Sequence, residues 1–216
     1  MIGPAALAAE AGGPTLDPRA QSLLTFWLGD PVVADGAGVG ARIPLWFGKR
    51  PEDDQRIRSE FGRLCELGRD GAFSDWQSIA RGALALIVLR DQLSRVIHRD
   101  SPAAFSTDEA NLRMARAGVG ARLDLALGPI ERVFFYMPYM HSESVAAQDE
   151  SVSLYGAIAA SAPEPVQPFA NQVLGYAERH RAIVARFGRF PHRNACLGRA
   201  SSADELAFLQ QPNSAF

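Results

Sequence analysis

The chain has 216 residues, 47% of them hydrophobic and 21% charged, with 22 basic residues against 24 acidic ones and a formal net charge of −2. So apolar and so nearly neutral a composition excludes an intrinsically disordered chain and the global positive field that nucleic-acid binding uses. No run approaches the roughly 18 apolar residues of a membrane span, and the N-terminus has no basic region and is broken by Glu10, so neither a membrane nor a secretory signal is expected.

In chain order, residues 1–16 are Ala, Gly and Pro without periodicity and are expected to form a flexible tail. Residues 17–216 are expected to form a single all-α domain. Asp17-Pro18 supplies an N-cap and a first-turn proline, and Leu23, Leu24, Phe26, Trp27 and Leu28 carry the first helix to about Gly29. Residues 29–44, rich in Gly, Pro and Ala, read as a long loop closed by Trp46-Phe47. Pro51 opens a second helix with Glu52, Asp53 and Asp54 in its first turn, and Ile57, Phe61, Leu64 and Cys65 form its apolar stripe. The segment from Ile79 to about His98 contains GALALIVL (82–89), apolar all round, and is expected to be a central helix. Ser106-x-x-Glu109 reads as a capping box for a helix ending near Gly118 or Gly120. Pro129 starts a short helix that Pro138 kinks or ends. A helix from about Glu143 to Ala160 and another from Phe169 to Phe187 follow, the latter stopped by Gly188. Ser202-x-x-Glu205 is a second capping box before a short last helix. The pattern predicts an antiparallel helical array of seven to nine helices and no strand.

Polar residues stand out where apolar ones are expected. In RDQLSR (90–95), Asp91 and Arg95 are neighbours at i, i+4 on the face that continues Leu84 and Ile87. A charged pair there is either a structural tie or the wall of a wet cavity. In YMPYMHSES (136–144), a proline-interrupted helix carries His141 and Glu143; His141 is a candidate general acid or base oriented by Asp91 or Glu143. In RFGRFPHRN (186–194), Arg189, His192, Arg193 and Asn194 crowd an irregular stretch. From Glu178 to Arg199 six arginines stand against one acid, a local charge of +5. His180, on the apolar stripe of its helix, reads as a hydrogen-bonded core residue. Cys65 and Cys196 cannot build a disulfide framework and suit a reducing cytoplasm. No HExxH, CxxC, Walker loop or GxSxG motif is present, so no metal or cofactor is called for.

LTFWLGD (24–30), LWFGK (45–49), ALALIVLRDQLSRVIHR (83–99), AFSTDEAN (104–111), FFYMPYMHSESVAAQ (134–148) and FGRFPHRNACLGRASSADE (187–205) together resemble the bacterial domain-of-unknown-function family 924. The resemblance spans about residues 20–216 and implies a tetratricopeptide-like α-α superhelix, with no activity attached. Asp91, Gln92, Arg95, His141, Ser142, Glu143, Gln148, Arg189, His192, Arg193 and Asn194 match its motifs. This chain departs from the family in carrying Leu93-Ser94 after Gln92, where an aromatic and a proline are commoner, and a straighter helix is expected there.

These readings predict a cytoplasmic domain that binds a small anionic metabolite and could act on it. Asp91, His141, Glu143 and His192 are the candidate catalytic residues. Gln92, Arg95, Ser142, Gln148, Arg189, Arg193 and Asn194 are the candidate ligand contacts. The alternative is an interaction scaffold whose groove takes an acidic peptide or a C-terminal carboxylate. Neither nucleic acid nor membrane is expected as a partner. A closed pocket of several hundred cubic ångströms favours the small molecule, whereas an extended concave face favours the peptide.

Overall fold

The computed structural model describes residues 15–212 and 214, so most of the expected N-terminal tail lies outside the described residues. Eleven α-helical segments follow one another: α1 Pro18–Leu28, α2 Gly36–Phe47, α3 Pro51–Arg69, α4 Ala80–Ile87, α5 Ser94–Ile97, α6 Asp108–Gly120, α7 Pro129–Phe135, α8 Met137–Met140, α9 Val145–Ser161, α10 Gln167–Phe187 and α11 Ala203–Leu209. A π-helical turn, Val88–Leu93, joins α4 and α5 into one rod. Counting that rod once and α7–α8 as one interrupted helix gives nine helical units among the described residues, the upper end of the expected number. No strand occurs among the described residues, and none of their helices is long and apolar enough to cross a membrane.

The rod is the centre of the array. Every residue from Gly82 to Leu89 is buried, as an all-round apolar segment must be, and α1, α3, α6 and α7 pack against α4 or its π turn. α9 and α10 form the most extensive helix pair, joined through residues 162–166. Local signals set many of the ends. Asp17 accepts a hydrogen bond from the Arg19 N–H at 2.8 Å, and Ser202 and Glu205 close the expected capping box of α11. Gly188 ends α10 at φ +69°, in the left-handed region where a residue without Cβ pays no steric penalty.

Three local expectations are overturned. The glycine-rich stretch expected as a loop contains α2. There the Asp35 side chain caps the Gly38 N–H, and the indole N–H of buried Trp46 donates to the Trp27 carbonyl at 2.8 Å, so tertiary anchoring overrides poor helix propensity. Ser106 does not cap α6. Its hydroxyl donates to the Ala103 carbonyl, the helix starts after Thr107, and the Thr107 hydroxyl donates to the Arg90 carbonyl at 2.9 Å. Finally, the central helix expected from Ile79 to about His98 is not continuous α-helix, because residues 88–93 widen into the π turn. A π turn shifts the backbone register, and here the Leu89 and Arg90 carbonyls are met from outside by the Cys65 thiol and by Thr107.

Gly82 carries a test of how tightly the rod is seated. A Cβ at that position would lie 2.3 Å from the Trp76 carbonyl oxygen, inside van der Waals contact. Helix propensity alone makes Gly82→Ala stabilising by about 1 kcal/mol, whereas the overpacking costs roughly 1–3 kcal/mol. Urea unfolding of the variant is expected to show net destabilisation; a stabilised variant would show that the rod has room to move.

Candidate functional site

The π turn places Asp91 in the interior with no exposed surface, so its carboxylate must find all its donors within the protein. It finds three. The Gln92 amide donates at 2.6 Å, Arg95 Nη2 at 3.1 Å, and His141 Nδ1 lies 2.8 Å from one oxygen and 2.9 Å from the other. Burial opposes the charge on Asp91, but His141, Arg95 and Gln92 together hold its carboxyl below the usual carboxylate range. Burial is also the largest influence on His141 and lowers its pKa despite Asp91, so the ring is neutral near pH 7. A neutral imidazole facing an ionised carboxylate through Nδ1 carries its proton there, which leaves the lone pair on Nε2.

Arg95 reaches a second carboxylate, Asp108 in the first turn of α6, at 2.8 Å. Arg193 donates to Asp108 at 3.1 Å and to the His141 carbonyl at 3.0 Å. Its guanidinium lies between the Phe105 and Phe190 rings, 4.6 Å and 4.5 Å from their centroids. Burial and then the charge of Arg95 bring the Arg193 pKa down to about 10. Asp91, Arg95, Asp108 and Arg193 thus form a charge-balanced quartet that ties the rod, α6 and the 191–193 turn to the backbone of His141.

Beside the quartet lies a cavity of about 480 Å³. Its lining includes Trp27, Trp46, Phe47, Val173 and Tyr176 from α1, α2 and α10, and Gln92, Arg95, Arg99, Phe105, His192 and Arg193. His141 and His180 line it with ring centroids 6.3 Å apart. Lys49, Arg95, Arg99, Arg179 and Arg193 face a single lining carboxylate, Asp100. His180 Nδ1 donates to the Tyr176 carbonyl at 2.8 Å, fixing the ring to its own helix.

The sequence-predicted residues divide into two groups. Gln92, Arg95, His141, His192 and Arg193 line the cavity, and Asp91 stands one hydrogen bond behind His141. Ser142, Glu143, Gln148, Arg189 and Asn194 are not among its lining residues. Glu143 takes a bidentate Arg199 at 2.6 Å and 2.9 Å and the Phe190 N–H at 2.9 Å, so it fastens the 190s turn instead of orienting His141. Arg189 is paired bidentately with Glu205. Asn194 bridges Arg199 and Ser201, while Ser142 accepts from the Ser144 N–H. Buried Gln148 donates to the Met140 and Ser142 carbonyls at 2.7 Å each, supporting the backbone around His141. Sequence reasoning missed Asp108, Lys49, Arg99 and Arg179 as site members. Asp108 lies inside the Ser106-x-x-Glu109 segment read as a capping box, and its tie to Arg193 spans 85 positions. Among the described residues no group of three or more His, Cys, Asp or Glu could hold a metal ion.

The histidines make stability depend on pH. Burial brings His180 down to about 3; burial, and then the charge of Arg193, bring His192 down to about 4. An unfolded histidine titrates near pH 6.5. As the pH falls from about 6.5 towards 4, the unfolded chain therefore takes up protons that the folded chain refuses. Stability is full above the unfolded pKa and drops by up to roughly 1.4 kcal/mol per pH unit for each group. Urea midpoints measured between pH 7 and pH 4.5 are expected to fall, with a shallower slope for His180→Gln; equal slopes in both proteins would contradict this.

Comparison with known proteins agrees with this architecture. A solved structure described as a protein of unknown function, ATU0120, from Agrobacterium tumefaciens is similar at 30% identity and a TM-score of 0.73, over 88% of this chain and 96% of that one. No curated protein matches the chain. The family model described as bacterial protein of unknown function (DUF924) matches residues 23–213, and the chain belongs to that family.

Proposed function

We propose that the cavity binds a small anionic metabolite and that His141, oriented by Asp91, serves there as a general base. The observation that carries this reading is the Asp91–His141 pair in the wall of a cavity lined by five basic side chains and one acidic one. A carboxylate that fixes Nδ1–H leaves Nε2 to accept a proton from a bound ligand or from water, and the basic lining favours a ligand of negative charge. A neutral histidine near pH 7 is already in the form a base requires. The cavity volume falls within the usual range for small-molecule sites, about 300–1,000 Å³. That favours a small molecule over the extended peptide that a tetratricopeptide-like scaffold would take.

A thermal-shift panel of phosphates, citrate and mono- and dicarboxylates tests this reading. A ligand at a hundred times its Kd adds about 2.7 kcal/mol to the stability of the folded state, a shift of several degrees. Saturable shifts are expected in the wild type and should shrink in His141→Ala, which removes a side chain from the cavity wall. Arg189→Ala should lower the baseline, because it strands Glu205, while keeping the ligand-induced increment. Shifts of equal size in the wild type and His141→Ala, or no shift with any anion, would overturn the proposal.

A further inference from the structure

The charge of the cavity is distributed unevenly, and that distribution limits the ligand. Arg95 and Arg193 are balanced by Asp91 and Asp108, and Arg99 is paired with Asp54 at 2.5 Å and 3.0 Å. The residues expected from sequence to grip an anion are therefore largely engaged. Two lining cations remain without a carboxylate partner among the described residues, Lys49 and Arg179. Both are exposed, so they stand at the mouth. They flank an aromatic lip: Lys49 follows Phe47 by two residues, the Phe47 and Tyr176 rings are 6.4 Å apart, and the Arg179 guanidinium lies 4.5 Å from the Tyr176 centroid.

Part of the wall is apolar. Trp27 is 1% exposed, Trp46 6% and Val173 1%, and all three face the cavity without a charged neighbour on their own elements among its lining, apart from Arg179 at the mouth. A compact polyanion such as a sugar bisphosphate would meet two uncompensated cations at the rim and, further in, aromatic rings that desolvate it and arginines whose charge Asp91, Asp108 and Asp54 already balance. An apolar body, by contrast, gains roughly 25 cal/mol for each square ångström it removes from water against those rings.

We infer that the ligand is an amphipathic monoanion, an aromatic or medium-chain carboxylate, whose apolar body lies against Trp27, Trp46 and Val173 and whose anionic head is held at the mouth by Lys49 and Arg179. This inference rests on the anion-binding reading above and adds a direction to it: the head faces out and the body reaches in towards His141.

The test uses tryptophan fluorescence, because Trp27 and Trp46 line the cavity, with 4-phenylbutanoate, octanoate, acetate, citrate and inorganic phosphate as probes. 4-Phenylbutanoate and octanoate are expected to bind saturably and at least tenfold more tightly than acetate, citrate or phosphate. The exposed double variant Lys49→Ala/Arg179→Ala is expected to lose about tenfold in affinity for 4-phenylbutanoate, in keeping with the loss of a charged hydrogen bond. Arg113→Ala, exposed on α6 and outside the cavity, is expected to match the wild type. Citrate or phosphate binding as tightly as the amphipathic acids would overturn the inference and leave the anion site standing, as would an unchanged affinity in the double variant. Failure of every probe to bind would overturn both.

Discussion

One buried carboxylate constrains the rest of this structure. Asp91 lies in the middle of the most apolar segment of the chain, and an unpaired charge there would cost several kcal/mol. It is tolerated because a π turn aims it at donors from three directions: Gln92 beside it, Arg95 one turn on, and His141 fifty residues away. Each donor brings a further requirement. Arg95 needs Asp108, Asp108 draws in Arg193, and Arg193 reaches back to the carbonyl of His141. The loop of interactions closes on itself, so a polar network of this kind rigidifies the wall of the cavity as well as stabilising the fold.

The same closure explains why the local charge of +5 near the C-terminus does not act as one anion-binding surface. Arg189 and Arg199 are consumed by Glu205 and Glu143, and Arg193 by Asp108, each in a tie that pins the irregular 188–202 segment to the helices. What reaches the cavity from that segment is His192, Arg193 and Cys196. Much of that concentration of arginine is thus structural, and the cations left for a ligand are its member on α10, Arg179, and the single lysine of the chain.

Legibility in the sequence followed the range of the interaction. Caps written in adjacent residues, Asp17 and the Ser202–Glu205 box, were readable, and so was the central rod from its unbroken apolar run. The i, i+4 approach of Asp91 and Arg95 was readable for the same reason. Helix α2 was not, because its composition argues for a loop and its anchors, Trp46 on Trp27 and Arg42 on Phe26, lie 16 or more positions away. Nor was the π turn, whose carbonyls are satisfied by Cys65 and Thr107 from other elements. In the site, the motifs pointed to Asp91, His141 and Arg193 but could not say that Glu143 turns to Arg199 instead of His141. Spacing along the chain carries no information about which of several nearby arginines an acid will choose.

Asp91 holds a neutral His141 with its proton on Nδ1 and its lone pair on Nε2, beside the cavity. Nitrogen NMR of histidine-labelled protein, with His141 assigned by substitution, reads this directly. Near pH 7 the Nδ1–H tautomer is expected, with Nε2 shifted as an unprotonated nitrogen. An imidazolium, or a neutral ring protonated on Nε2, would contradict it.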